Sequence, residues 1–383
     1  MKTVGILGGG QLGAMLGESL FLLGVRPLFF AHAGSTAHQR FVDVTVGDFH
    51  DEDAVRRFVE KCDVVTFEME HVPIHVLERI EANYCPSLDV IRLTQHRARE
   101  KNFLRQTGLP HALFEVLPTA EALAQLDVFP RIVKTSLGGY EGLGQRFIDG
   151  IPSRDQMVHD VHDAHGEGFV AEEPIVIEAE LSCIIARDSQ GRISEFPVFR
   201  NTHRAHVLDV TVVPTGLPDS LEREARKIAV KAAHELNVVG LLTTEFFVTQ
   251  SPCAGPSVEV DGHHLLINEF APRPHNSGHV TRKACSFSQF DALARILADI
   301  PLFPPNVWPG GFAMANLLSE IWGDSTELDM RSWNQHPDVE EVCLYGKSPS
   351  RPKRKMGHVI CSAPSAAAAE HNARAFRDSL HGL

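Results

Sequence analysis

The sequence predicts three parts: a doubly wound α/β domain over residues 1–95, an α+β region with two lobes over 96–300, and a small C-terminal region over 301–383. Three observations carry this. Short apolar strands alternate with helical stretches near the start of the chain, the pattern of a parallel sheet with helical crossovers. Beyond residue 108 strands come in runs, with the helices set apart from them. Prolines then cluster over 301–309, which marks a junction.

Taken in order, residues 2–8 read as a buried strand, followed by a glycine turn and a helix that ends by Gly24. Strands follow at 26–30 and 43–46, a helix at 51–60, and a strand at 63–67. The helix over 97–108 stops at Gly108-Leu109-Pro110, a C-terminal signal. Strand patterns recur at 131–134, 169–173, 180–186, 195–199 and 241–247. Helical spacing returns at 219–235 and 287–297, and four alanines at 366–369 open a last helix. The first lobe of the middle region is expected over about 96–170.

Composition bounds the function. The chain of 383 residues is 43% hydrophobic and 22% charged, which excludes a disordered or collagen-like chain. The best candidate for a membrane span is broken by Arg26 and Pro27, and residues 4–8 are too short and glycine-rich for a secretory leader. A cytoplasmic protein that binds no membrane is therefore expected. Net charge is −13, a poor match to nucleic acid, which is bound by neutralising phosphates. The seven cysteines are widely spaced with no C-x-x-C, so reduced thiols are expected rather than a disulfide framework or a zinc ribbon.

Several motifs point to phosphate chemistry. Gly8-Gly9-Gly10-Gln11-Leu12-Gly13 follows a strand and opens a helix, where backbone amides can meet a phosphate. A dinucleotide site would need an acidic residue at the end of the second strand, and residues 27–33 carry none. A purely structural turn, or a turn receiving another phosphorylated ligand, are the remaining readings. Glu68 and Glu70 lie just past an apolar strand, where ligands of open α/β sheets bind; for Glu70, simple solvation is the plainer reading. Lys134 precedes four glycines within residues 138–144, a flap whose amides can cover phosphates. Glu172, Glu173 and Ile175 can offer carbonyl edges to an adenine and a carboxylate to its ribose.

Glu245 and Glu269 each sit within an apolar strand pattern. Buried carboxylates need a cation or cationic partners, and hard oxygen ligands beside a phosphate flap favour Mg2+; ion pairs with Lys or Arg are the alternative. Arg273, His275 and Asn276 follow at once as a donor-rich loop suited to an oxyanion. His275 and His279 have metal-pair spacing, but the prolines and Gly278 argue against the helix that spacing requires. Lys347, Lys353, Arg354 and Lys355 form a basic cluster, either a solvated patch or a phosphate anchor.

In this order the motifs resemble the ATP-grasp superfamily, and within it the 5-(carboxyamino)imidazole ribonucleotide synthases of purine biosynthesis. The match rests on residues 8–13 and 65–70, on Gly139-Tyr140-Glu141-Gly142-Leu143-Gly144-Gln145, and on Glu180-Leu181-Ser182 with Ala186-Arg187. It rests above all on the run from Asn268 to His279, then on Ser288-Gln289-Phe290, Tyr345-Gly346-Lys347 and 354–358. The resemblance implies a Rossmann-like pre-ATP-grasp domain, a two-lobed ATP-grasp domain and a C-terminal region. It implies an ATP-dependent ligase, assembled as a homodimer, that carboxylates aminoimidazole ribonucleotide with bicarbonate through carboxyphosphate. Lys101 and Lys134 would contact ATP phosphates, under a flap that includes Gly139, Gly142, Gly144 and Gln145. Glu172, Glu173, Ile175, Glu180 and Asn268 would complete the nucleotide site, and Glu245 and Glu269 would hold Mg2+, with Mn2+ as an alternative. Arg273, His275, Asn276, Tyr140 and Glu141 would serve the chemistry. Gln11, Leu12, Glu68, Lys347, Arg354 and Lys355 would meet the ribonucleotide.

Two features depart from the family. Its flap usually reads Gly-Tyr-Asp-Gly-Lys (or Arg)-Gly-Gln, whereas this chain has Glu141 and Leu143; its second strand usually ends in an Asp-Pro type turn, whereas this one ends Ala31-His32-Ala33. An ATP-grasp ligase acting on a different amine is the competing expectation. A nicotinamide dehydrogenase rests only on residues 8–13, and a non-catalytic nucleotide sensor is opposed by the retention of both Glu245 and Glu269.

Overall fold

Apolar runs at the start of the chain become the strands of a parallel sheet. In the computed structural model, which describes residues 1–138, 144–161, 167–347 and 352–383, these are β1 (Thr3–Leu7), β2 (Arg26–Ala31), β3 (Val44–Val46) and β4 (Val64–Phe67), in the order β3-β2-β1-β4. Val4, Ile6, Phe29, Phe30 and Val65 are fully buried. Such strands read as continuous apolar runs because both faces of the sheet are covered. Helices α1 (Gln11–Leu22), α2 (Thr36–Arg40) and α3 (Glu52–Val59) accompany the sheet. Nothing in the periodicity signals α2; its stop-start chemistry is local, with Ser35 Oγ accepting from the His38 N–H. Two short helices, α4 (Ile74–Leu77) and α5 (Leu88–Thr94), lead to α6 (Arg97–Thr107). That helix ends at Gly108 with φ 61°, as the Gly-Leu-Pro signal predicts.

A separate small sheet follows, built from β5 (Phe114–Leu117), β6 (Arg131–Thr135), β7 (Gln145–Ile148) and β8 (Phe169–Glu172) in the order β5-β8-β6-β7. With α7 (Ala120–Ala124) and α8 (Ile151–Val161) it encloses its own core of Leu117, Leu123, Val133, Ile148 and Phe169. This is a lobe with its own interior, hung on the rest of the molecule.

The long sheet takes the remaining strands: β9 (Ala179–Arg187), β10 (Ile193–Glu195), β11 (Phe199–Arg204), β12 (Val207–Val213), β13 (Gly240–Thr249), β14 (Val258–Val260), β15 (His263–Ala271), β16 (Gly311–Leu318), β17 (Val339–Leu344) and β18 (Lys355–Ala363). Its order is β14-β15-β13-β9-β11-β12-β16-β18-β17, with β10 beside β9. Helix α9 (Asp219–Glu235) buries Leu221, Ala225, Ile228 and Ala232 against β9 and β13. Short α10 (Thr281–Ala284) and then α11 (Gln289–Leu297) pack the other face together with α1. The last helix, α12 (Ala366–Ser379), covers β16 and β18 through Ala369, Ala373 and Phe376.

One expected strand is corrected. Residues 195–199 are not a single strand but the passage between β10 and β11. Phe196, Val198 and Phe199 are fully buried, which explains the apolar pattern, but Pro197 between them has no N–H to give a ladder. The sheet also continues past the proline cluster, since β16 pairs with β12.

Candidate functional site

Three parts of the chain wall a cleft of about 400 Å³: the end of the parallel sheet, the small lobe, and the ends of β13 and β15. Its deepest chemistry lies where β13 and β15 pair, with Glu245 directly opposite Glu269. Both line the cleft. Burial pushes the Glu245 carboxyl up, yet the His275 imidazole, with His203 and Arg273 beyond it, holds it below the usual carboxylate range. His275 Nε2 lies 2.8 Å from Glu245 Oε1. Glu269 ends raised, because burial and the Glu245 charge outweigh Arg97 and Lys134. Glu100, behind it, is pushed up to about 8 by burial and by Glu269. This concentration of buried negative charge fits a cation. Among the described residues no third His, Cys, Asp or Glu joins the pair as a metal cluster. Two carboxylates without further protein ligands suit an ion that shares a substrate's phosphates, as Mg2+ does.

Two lysines reach the same strand, both within 3.5 Å of Asn268 beside Glu269. Glu172, at the end of β8, bridges Lys101 at 3.3 Å and Lys134 at 3.2 Å. Burial would raise its carboxyl, but the two ammonium groups bring it to about 2. Lys101 also donates to the Asn268 carbonyl (3.0 Å) and lies behind the cleft wall, whereas Lys134 lines it. Glu173 is held by the backbone N–H groups of Leu113 (2.7 Å), Ala254 (2.8 Å) and Gly255 (2.8 Å). The carboxylates expected to meet a ribose are therefore both engaged elsewhere: one neutralises lysines and the other ties the lobe to the loop at Gly255. Both nonetheless line the cleft, as do Ile175 and Glu180, and Glu180 Oε2 pairs with His203 Nδ1 at 2.8 Å.

The glycine turn takes the structural one of its readings. The Glu68 carboxylate occupies it, accepting from the Gly10 N–H at 2.5 Å. A Cβ on Gly10 would lie 2.2 Å from Glu68 Oε1. The Gly10 N–H thus goes to the protein's own Glu68, whose carboxyl burial pushes up, and Glu68 is not on the cleft wall. Gln11 and Leu12, just beyond, are. Glu70 is not a solvated carboxylate either: it forms a two-point ion pair with Arg273, Nη2 to Oε1 at 2.9 Å and Nε to Oε2. Burial would raise it, and Arg273 brings it to about 2. This pair joins the parallel-sheet domain to the loop after β15.

His275 and Asn276 both line the cleft. Asn276 is only 7% exposed, and neither end of its amide has a partner among the described residues, which is unusual for a buried polar group unless a ligand supplies one. His279 is fully buried in a 3-10 turn over Ser277–Val280 and stacks on His358 at 4.6 Å. It packs against the C-terminal strands. Lys355 lines the cleft; Lys347 and Arg354 do not, although Lys347 acts on Glu68 from nearby and sits over the Tyr345 ring. The expected flap residues Gly139, Tyr140, Glu141 and Gly142 lie outside the described residues; Gly144 and Gln145 close its base, and Gln145 reaches the cleft. Sequence reasoning missed His203, whose signal was a histidine on a strand two residues after a buried asparagine.

A small lobe bearing a lysine, facing paired strand carboxylates across one cleft and joined to a parallel-sheet domain, defines an ATP-grasp ligase. The comparisons agree part by part. Residues 1–95 match the ribonucleotide synthetase preATP-grasp domain, 102–290 the ATP-grasp domain, and 313–372 the phosphoribosylaminoimidazole carboxylase C-terminal domain. The N5-carboxyaminoimidazole ribonucleotide synthase of Bacillus subtilis (strain 168) is 32% identical over 93% of this chain and 90% of its own. That of Aquifex aeolicus (strain VF5) is 34% identical, over 94% and 92%. The crystal structure of N5-carboxyaminoimidazole synthase from Aspergillus clavatus, in complex with ADP and 5-aminoimidazole ribonucleotide, has a TM-score of 0.82 at 26% identity, over 98% of each chain. The chain belongs to the N5-carboxyaminoimidazole ribonucleotide synthase family. Among the described residues no helix is long and apolar enough to cross a membrane.

Proposed function

We propose that this protein is an ATP-dependent carbon–nitrogen ligase of de novo purine biosynthesis. It carboxylates the exocyclic amine of 5-aminoimidazole ribonucleotide with bicarbonate, releasing ADP and phosphate. One observation carries the reading: in a chain of this family, the facing Glu245 and Glu269 open onto the same cleft as His275 and Asn276.

The residues take their roles from where they stand. The segment after β8, with Ile175, receives the adenine, and Glu180 is the carboxylate placed for the ribose. Lys134 meets the phosphates, while Lys101 acts through Glu172 and the Asn268 carbonyl to hold that wall in place. Glu245 and Glu269 would hold Mg2+, which supplies neutralisation of phosphate charge when bound. Bicarbonate attacks the γ-phosphate to give carboxyphosphate, whose carboxyl group passes to the amine. His275 and the unpartnered Asn276 amide serve its oxygens, donors aimed where negative charge develops. Arg273 is held by Glu70 and so positions this loop as well as adding positive potential. Gln11, Leu12 and Lys355 face the ribonucleotide, with Lys347 and Arg354 near its phosphate. A homodimer is the proposed solution form, which light scattering reads directly.

The test is ADP release with Mg·ATP and bicarbonate, with and without aminoimidazole ribonucleotide. Strong stimulation coupled to carboxylated product is expected. ATP turnover that ignores the nucleotide would move the enzyme to a different amine acceptor.

A further inference from the structure

His275 is held through both its backbone and its ring. Its backbone N–H donates to Gln289 Oε1 (2.8 Å), and its carbonyl accepts from Gln289 Nε2 (2.7 Å). Its Nε2 faces Glu245 Oε1 at 2.8 Å. Its Nδ1 faces Ser277 Oγ at 2.8 Å and the Ser277 backbone N–H at 3.4 Å.

Behind Ser277 a chain of polar groups runs away from the cleft into the long sheet. Ser182 Oγ on β9 lies 2.8 Å from Ser277 Oγ. Asn201 Nδ2 on β11 donates to Ser182 Oγ at 3.0 Å, and Thr211 Oγ1 on β12 donates to Asn201 Oδ1 at 2.9 Å. Ser182, Ser277 and Thr211 are fully buried and Asn201 is 6% exposed. None of the four lines the cleft.

Proton counting gives this chain a direction. A hydroxyl has one proton to donate. Thr211 spends its proton on the Asn201 oxygen, so the amide nitrogen points to Ser182. Ser182, already accepting there, donates to Ser277. Ser277, accepting in turn, has its own proton left for His275 Nδ1. The Ser277 backbone N–H reaches the same nitrogen and can only donate, which requires the same answer independently. The Nδ1 lone pair is therefore in use, and in the neutral imidazole the proton sits on Nε2. The tautomer of a histidine is set by what its other nitrogen bonds.

We propose that Thr211, Asn201, Ser182 and Ser277 form a one-way relay of positioning residues that locks His275 in its Nε2–H tautomer. His275 then donates its one N–H to Glu245 Oε1 at the edge of the cleft, with no free lone pair to serve as a base. The tautomer assignment stands on the geometry alone; its effect on turnover rests on the function proposed above.

The test is nitrogen-15 NMR of the full-length protein with labelled histidine, without substrates, the His275 signals being assigned by their loss in His275→Gln. The two tautomers give distinct ring-nitrogen shifts. The wild type is expected to show a single Nε2–H form, and Ser277→Ala and Ser182→Ala to show a mixture with the Nδ1–H form. In the same variants kcat should fall about tenfold, the kinetic equivalent of one lost hydrogen bond, with KM for ATP unchanged. Thr211→Ser, which keeps the hydroxyl, should retain the wild-type spectrum, whereas Thr211→Val should not. An Nδ1–H form, or a ring protonated on both nitrogens, in the wild type overturns the proposal without any variant, so a variant that fails to fold does not protect it. Unaltered spectra and full kcat in Ser277→Ala would do the same. A protein that shows the Nε2–H form but does not carboxylate aminoimidazole ribonucleotide would keep the relay and refute the function.

Discussion

Glu172 carries one buried negative charge between two lysines, so its removal leaves two cations facing each other in the interior. Glu172→Gln should cost about 3–5 kcal/mol, the range for breaking a buried pair from one side, as read by urea unfolding at pH 7. The pH dependence follows from the depressed carboxyl. Its pKa is about 2 in the folded protein against an ordinary 4.5, so between these values the unfolded chain binds more protons. The stabilisation is fully present above pH 4.5 and is lost as pH falls toward 2. The gap between wild type and Glu172→Gln should accordingly narrow below pH 4.5; a gap independent of pH would refute the assignment. Glu269→Gln behaves differently, because this carboxyl is already raised by burial and Glu245. It should leave thermal stability near or above wild type yet lower ADP formation by about 100-fold or more at matched Mg2+, through loss of a cation ligand. Normal turnover in that variant would remove Glu269 from the metal site.

At the scale of elements, the loop after β15 depends on a glycine. A Cβ on Gly278 would stand 2.4 Å from the Gln289 amide carbon, and Gln289, fully buried at the start of α11, is what grips the His275 backbone. Gly278→Ala must break that grip. We expect a loss of about 2–4 kcal/mol from overpacking and two hydrogen bonds, with carboxylation falling more than nucleotide binding. Equal loss of both in a stable variant would show that the grip does not matter for His275. Elements with strong local signals were legible in advance. The helix over 219–235 follows its apolar spacing to the residue, and β13 and β15 could be placed from their apolar runs. Those whose signals were split were not. β12 is buried throughout but carries Asp209 and Thr211 within its run, and the two strands around Pro197 blurred into one.

For the whole molecule, the long sheet makes the C-terminal region part of the middle one. β12 pairs with β16, and Val210, Val212, Ala315, Val359 and Phe376 share one core. A chain cut after residue 310 would leave the β12 edge unpaired and that core open, conditions that favour aggregation. We expect it to elute as aggregate in size-exclusion chromatography; a monodisperse fragment that binds ADP would contradict this. The order of the parts and the chemical inventory were legible along the chain. The sequence placed Glu245 and Glu269 in strands, put the Arg-Pro-His-Asn loop directly after them, and set a lysine before the glycine flap. Periodicity, turn residues and motif spacing act within a few residues of one another, so a linear reading reaches them. Which charges answer which was settled by the packing of the folded chain. It put Glu70 on Arg273, 203 residues away, set Glu172 between Lys101 and Lys134, filled the glycine turn with Glu68, and ran a buried relay from Thr211 to His275. Those choices depend on which buried groups packing brings within hydrogen-bond reach, and a charge taken out of water must find its partner there, wherever along the chain it comes from.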